Sequence, residues 1–119
     1  MTYVDGFLVA VPRAKKADYK ALAERAMAVW LDHGAIRYVE SWADDVPAGK
    51  INDFRTAVIA EEGEEVVFSW IEWPSKEARD TGNAKVMADP RLKMEGKEMP
   101  FSGERMIYGG FAMLLDSSE

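Results

Sequence analysis

Acids and arginines stand where aromatic side chains are dense. Asp5, Glu40 and Glu72, with Arg37 and Arg105, fall in segments that alternate like β-strands. Tyr38, Trp42, Trp70 and Tyr108 stand beside them in the same segments. A carboxylate desolvated among aromatics has its pKa raised toward neutrality, as a general acid or base requires. If Glu40 and Glu72 share a sheet face, their repulsion also pushes their pKa values apart. Glu72, Glu40 and Arg37 are therefore the candidate catalytic groups, and Tyr38, Trp42, Trp70 and Tyr108 the candidate walls of a ligand pocket. The plainer alternative is structural, with these acids paired to Arg37 and Arg105 in one chain or across a dimer axis, because structural ion pairs perturb acids as active sites do. Asp5, near the chain start, fits a strand edge that reaches water.

Other chemistries find less support. The chain of 119 residues has no cysteine and a single histidine, which excludes thiolate catalysis and a typical zinc site. His33 sits where a helix should end, and a cation there meets the negative end of the helix dipole. The stretch DDVPAGKINDFR (residues 44–55) crowds Asp44, Asp45, Lys50, Asp53 and Arg55 into one turn, either the mouth of a site or a solvated turn with local ion pairs. Its single glycine does not make a phosphate loop, and no nucleotide, hydrolase or calcium-loop motif occurs. Neither a metal nor a cofactor is called for.

Charge and hydropathy narrow the partners. The net charge is −6 and the pI about 4.9. Nucleic-acid binding depends on lysine and arginine against phosphate, so an acidic chain without a basic stripe argues against it, and against anionic membranes. Lys15 and Lys16 are adjacent but isolated, as on a solvated face. No apolar run approaches the ~18 residues of a membrane helix. The apolar residues 7–11 follow Asp5 with no basic stretch before them, unlike a signal peptide. A cytoplasmic location is the expectation.

These residues need a scaffold, and the pattern supplies one. Residues 3–11 read as a strand. Residues 15–33 read as a helix, with Tyr19, Leu22, Ala23, Ala26 and Trp30 on one stripe and Gly34 as its stop. Residues 35–43 read as a second strand. Residues 56–60 and 65–73 read as a hairpin around EEGEE. Ser75 caps a helix over 75–88, weakened by Gly82, and Asp89-Pro90 opens a short turn ending at Gly96. Residues 105–115 read as the last strand, where Gly109-Gly110 suggests a bulge or a close backbone approach. The order is two β-α-β units with one extra strand between them: a ferredoxin-like split βαβ pattern over residues 1–119 as one domain.

Both faces of the strands are apolar. In FSWIEW (residues 68–73), Trp70 and Glu72 point one way and Ile71 and Trp73 the other. Two helices on one side cover only one sheet face. A bare apolar face exceeds the few hundred Å2 that monomers tolerate, and a second copy of the sheet is the simplest cover.

The segments YVDGFLVAVP, ESWADDVPAGK, VVFSWIEWPSKEARD, KVMADPR and MPFSGERMIYGGF resemble the YbaA-like family of small bacterial proteins, from Tyr3 to about Leu115. The resemblance implies a dimeric α+β barrel with ferredoxin-like protomers. The family carries no established activity, so the resemblance assigns no catalytic residue. Some members bear an RNA-related name, which the acidity of this chain does not support.

Two functional readings follow. One is a homodimer that binds, and transforms or senses, a small organic molecule in an aromatic-lined pocket of each protomer. The other is a non-catalytic module that associates with itself or with a partner protein. A cavity of ~300 Å3 or more favours the first, and a filled core with satisfied ion pairs the second.

Overall fold

The computed structural model describes residues 2–93 and 99–118. Four strands, β1 (Tyr3–Pro12), β2 (Arg37–Trp42), β3 (Glu64–Trp73) and β4 (Ile107–Ala112), form one antiparallel sheet in the order β2-β3-β1-β4. Helix α1 (Lys16–Asp32) joins β1 to β2, and α3 (Lys76–Ala88) joins β3 to β4. A single helical turn, α2 (Phe54–Ala57), lies in the long β2–β3 connection. This is the ferredoxin-like α+β arrangement, with both long helices on one face.

Local chemistry sets the helix ends. Gly34 takes φ 107°, which a side chain would resist. Its amide donates to the Leu31 carbonyl, and the Ala35 amide to that of Trp30, so two orphan carbonyls of α1 are satisfied. Ser75 Oγ accepts from the Ala78 amide at 3.1 Å and opens α3. Asp89 caps a 3-10 turn at Pro90–Leu92; its expected end at Gly96 lies outside the described residues.

Three expectations change. Residues 56–60 are not a strand. Asp53 accepts from the Thr56 amide while the Thr56 hydroxyl accepts from the Asp53 amide, a reciprocal cap that winds α2. Ile59 then takes φ 50°, which breaks extended backbone. Val58 and Ala60 are apolar because they pack on Ala10 and Val66, not because they pair in a sheet. The extra middle strand is therefore absent.

Gly109-Gly110 makes no bulge, since β1 and β4 pair without a break from Tyr3↔Ala112 to Leu8↔Ile107. Gly110 instead leaves room for side chains: a Cβ there would stand 2.8 Å from the Tyr3 ring and 2.9 Å from Arg79 Nη2. Gly82 is more than a weak helix former. It is buried, and an added Cβ would lie 2.6 Å from both the His33 carbonyl oxygen and Trp73 Cη2. Only glycine lets α3 settle on Trp73 and on the end of α1.

The register assigns the faces. Tyr3, Asp5, Phe7, Val9 and Val11 of β1 share the helix-covered face with Val67, Ser69, Ile71 and Trp73 of β3 and with Tyr38, Glu40 and Trp42 of β2. Its core gathers around Val9, Val11 and Val67, and around Ala35, Ile71 and the fully buried Trp73. Burying one large apolar side chain contributes on the order of 3 kcal/mol. The opposite face carries Val4, Leu8, Phe68, Trp70, Ile107 and Phe111. Residues around α2 cover one end of it, through Val58 on Val66 and Phe54 edge-on to Phe68. Toward β4 the face is bare: Ile107 is 46% exposed and Phe111 60%.

Candidate functional site

A cavity of about 680 Å3 lies between α1 and the edge strand β2. The helix supplies Tyr19, Ala23 and Met27, and the strand supplies Tyr38, Glu40, Ser41 and Trp42, with Val67 of β3 behind them. Tyr38, Glu40 and Trp42 alternate along β2, so all three reach the same side. Tyr19 comes over from the first turns of α1, its ring edge-on to Phe101 at 5.9 Å.

The polar centre is a carboxylate held by two phenols. Tyr19 donates to Glu40 Oε1 at 2.7 Å, and Tyr38 donates to Glu40 Oε2 at 2.6 Å. Both phenols are pushed well above the ordinary tyrosine range, first by burial and then by the adjacent Glu40 charge. They stay protonated and keep donating at any physiological pH. Around this centre the lining is largely apolar, with Lys16 lying over the Trp42 ring at 4.9 Å from its centroid. Arg13, Lys16 and Lys20 stand along the helix edge of the mouth, with Glu24 beside them.

Glu72 and Trp70 do not join this cavity. They stand on the opposite sheet face, where Trp70 Nε1 donates to Glu72 Oε2 at 2.9 Å. Arg37, directly across from Glu72 in the ladder, reaches the same oxygen at 3.4 Å and lies over the Trp70 ring. Glu40 and Glu72 therefore do not share a face. Tyr108 is on the helix side but on the far edge strand, 73% exposed and stacked on Phe7. Of the seven residues singled out as site candidates, the structure brings Tyr38, Glu40 and Trp42 together in the cavity and gathers Arg37, Trp70 and Glu72 on the other face, with Tyr108 apart from both.

The remaining polar groups build the fold. Asp5 is buried, not at a wet edge. Trp73 Nε1 donates to its Oδ2 at 3.0 Å and Arg79 to its Oδ1 at 3.2 Å. Burial raises the Asp5 pKa, against the lowering pull of Arg79 and Trp73. Arg105 pairs with Glu64 through both carboxylate oxygens at 2.8 Å and also donates to the Ile59 carbonyl. His33 Nε2 lies 2.9 Å from Asp89 Oδ2, and Arg91 bridges Asp89 to Asp32, tying the end of α1 to the end of α3. In the 44–55 stretch, Asp53 caps α2 and Arg55 donates to the carbonyls of Glu61 and Glu64. Among the described residues, no group of three or more histidine, aspartate or glutamate side chains is placed to hold a metal. No helix there is long and apolar enough to cross a membrane.

Reading the sequence missed Tyr19 and Arg79. Tyr19 falls on the apolar stripe of the helix. Its hydroxyl was the available signal, since a buried phenol usually has a partner.

An antiparallel ferredoxin-like sheet with a side-chain-lined cavity under its first helix defines the class. Solved structures share the fold. A mutant of MhuD with two manganese protoporphyrin IX molecules bound per active site aligns with a TM-score of 0.63 at 16% identity, covering 96% of each chain. A mutant of SnoaB, a cofactor-independent oxygenase from Streptomyces nogalater, aligns at 0.56 and 13% identity over 99% of this chain and 98% of that one. The sequence is more specific. Residues 2–103 match the model of DUF1428, proteins of unknown function, and the chain belongs to that family. The uncharacterized protein YbaA of Escherichia coli K12 is 60% identical over 116 residues, 98% of this chain and 99% of that protein.

Proposed function

We infer that the chain is a cytoplasmic homodimer in which each protomer binds a small organic molecule in the cavity between α1 and β2. One observation carries the reading. A carboxylate with two dedicated phenol donors sits in a largely apolar cleft of about 680 Å3, within the size range of small-molecule sites. Two phenols and one acid fixed in that wall cost desolvation, which a purely structural wall avoids by using apolar residues. The neighbours of like fold that hold porphyrin or carry out oxygenation lend the reading fold-level support. The bare sheet face, with Phe68, Ile107 and Phe111, is the natural dimer contact. There Arg37, Trp70 and Glu72 would be interface residues, not pocket residues.

A native mass spectrum of freshly purified, undialysed protein tests both parts. A dimer carrying extra mass per protomer is the expected result. A monomer without added mass overturns the reading, and a dimer without added mass keeps the interface and removes the ligand. In that last case the bare apolar face favours the non-catalytic interaction module.

A further inference from the structure

The geometry points to one class of ligand for this cavity: a planar aromatic acid with a hydroxyl or amino group at the end opposite its anionic group. This rests on the ligand-binding reading above and gives that ligand its chemistry.

The polar centre at Glu40 accepts and does not donate. Tyr19 and Tyr38 each commit their one proton to Glu40. Each carboxylate oxygen can accept a second bond, and each phenol oxygen keeps acceptor capacity. A molecule satisfied here must bring its own O–H or N–H.

The mouth has the opposite character. Arg13, Lys16 and Lys20 recur at helical spacing along one edge of the cavity, against a single acid there, Glu24. This is a local excess of cations in a chain of net charge −6. Arg13 lies 3.9 Å from Glu65, so Lys16 and Lys20 are the main candidates to meet an anion.

The strand sets the scale between the two ends. Lys16 lies over Trp42, and Trp42 stands two residues beyond Glu40 on β2, or about 7 Å along the strand. The reach of the lysine side chains adds to that, so the span suits one or two fused rings. The Trp42 ring, Ala17, Ala23 and Val67 offer apolar walls between the ends.

The test uses 6-hydroxy-2-naphthoate, followed by its own fluorescence. Its methyl ester lacks the anion, and 2-naphthoate lacks the donor. Each is titrated into the full chain, into Lys16→Ala/Lys20→Ala, and into Ala17→Trp, which fills the cavity from an exposed helix position. The acid is expected to bind about tenfold more tightly than its ester, as one charge-assisted contact gives. It should also bind roughly fivefold more tightly than 2-naphthoate, the worth of one hydrogen bond. The double lysine variant should erase the preference for acid over ester, and Ala17→Trp should abolish binding of all three. Equal binding of acid and ester that Ala17→Trp still abolishes overturns the ligand class and leaves the cavity reading standing. Binding that Ala17→Trp leaves unchanged overturns both. If none of the three binds, the class is overturned and the native mass spectrum alone decides the cavity reading.

Discussion

The Tyr38 hydroxyl donates to Glu40 across 2.6 Å, two residues along the same strand. Tyr19, from the helix above, takes the other carboxylate oxygen. One acid thus fastens α1 to the edge strand β2. A hydrogen bond to a charged group is worth about 1.5–3 kcal/mol. Tyr19→Phe and Tyr38→Phe should each lower the unfolding free energy by about that amount in urea titrations. The double variant should lose more than the sum, because both bonds end on one carboxylate and removing both leaves it without a phenol donor. Strict additivity would mean that the two phenols act independently of Glu40.

Gly82→Ala separates packing from propensity. Alanine in a helix interior gains about 1 kcal/mol over glycine. Here the new methyl would meet Trp73 and the His33 carbonyl. Overpacking of this kind costs about 1–3 kcal/mol. The variant should unfold at lower urea than the parent. A gain in stability would show that α3 does not press on Trp73 as described.

Two acids should give opposite pH slopes. The Arg105 guanidinium beside Glu64 holds its carboxyl below the ordinary 4.5. Its share of stability is present above that value and is lost as pH falls through the lower folded pKa. Glu64→Gln should therefore flatten the acid-side loss in urea unfolding between pH 3 and 6. Burial raises the Asp5 pKa above the ordinary 3.8, so its contribution is fullest below that value and declines as pH rises through the folded pKa. Asp5→Asn should remove a slope of the opposite sign. Equal slopes in both variants would contradict the assignment of these two environments.

The bare sheet face carries its own prediction. Phe68 is exposed beside Trp70, their ring centroids 5.6 Å apart. Phe68→Glu should convert a dimer to a monomer on a sizing column with light scattering, with the far-UV spectrum retained. A wild-type monomer at micromolar concentration would remove the dimer from the account.

Much of this architecture was legible in the residues, because strands buried on both faces and an amphipathic helix leave strong periodic signals. Residues 56–60 misled because Val58 is apolar for a tertiary reason, and only the Asp53–Thr56 cap shows that the chain turns there. The site was half legible. Whether Glu40 and Glu72 share a face depends on register: Glu40 lies across from Ser69, three residues from Glu72, and an odd offset puts the two acids on opposite faces. No single-strand pattern contains that offset. The Arg79–Asp5 pair joins residues 74 positions apart, a distance at which local pattern carries no information.

The most direct test of the central claim is a thermal-shift screen of small aromatic acids and neutral analogues against the wild-type chain and Ala17→Trp in parallel. A ligand at a hundred times its Kd adds about 2.7 kcal/mol, enough to raise the Tm by several degrees. Compounds that stabilise the wild type but not Ala17→Trp would place binding in the cavity around Glu40. Compounds that stabilise both equally, or none that stabilises the wild type, would contradict it.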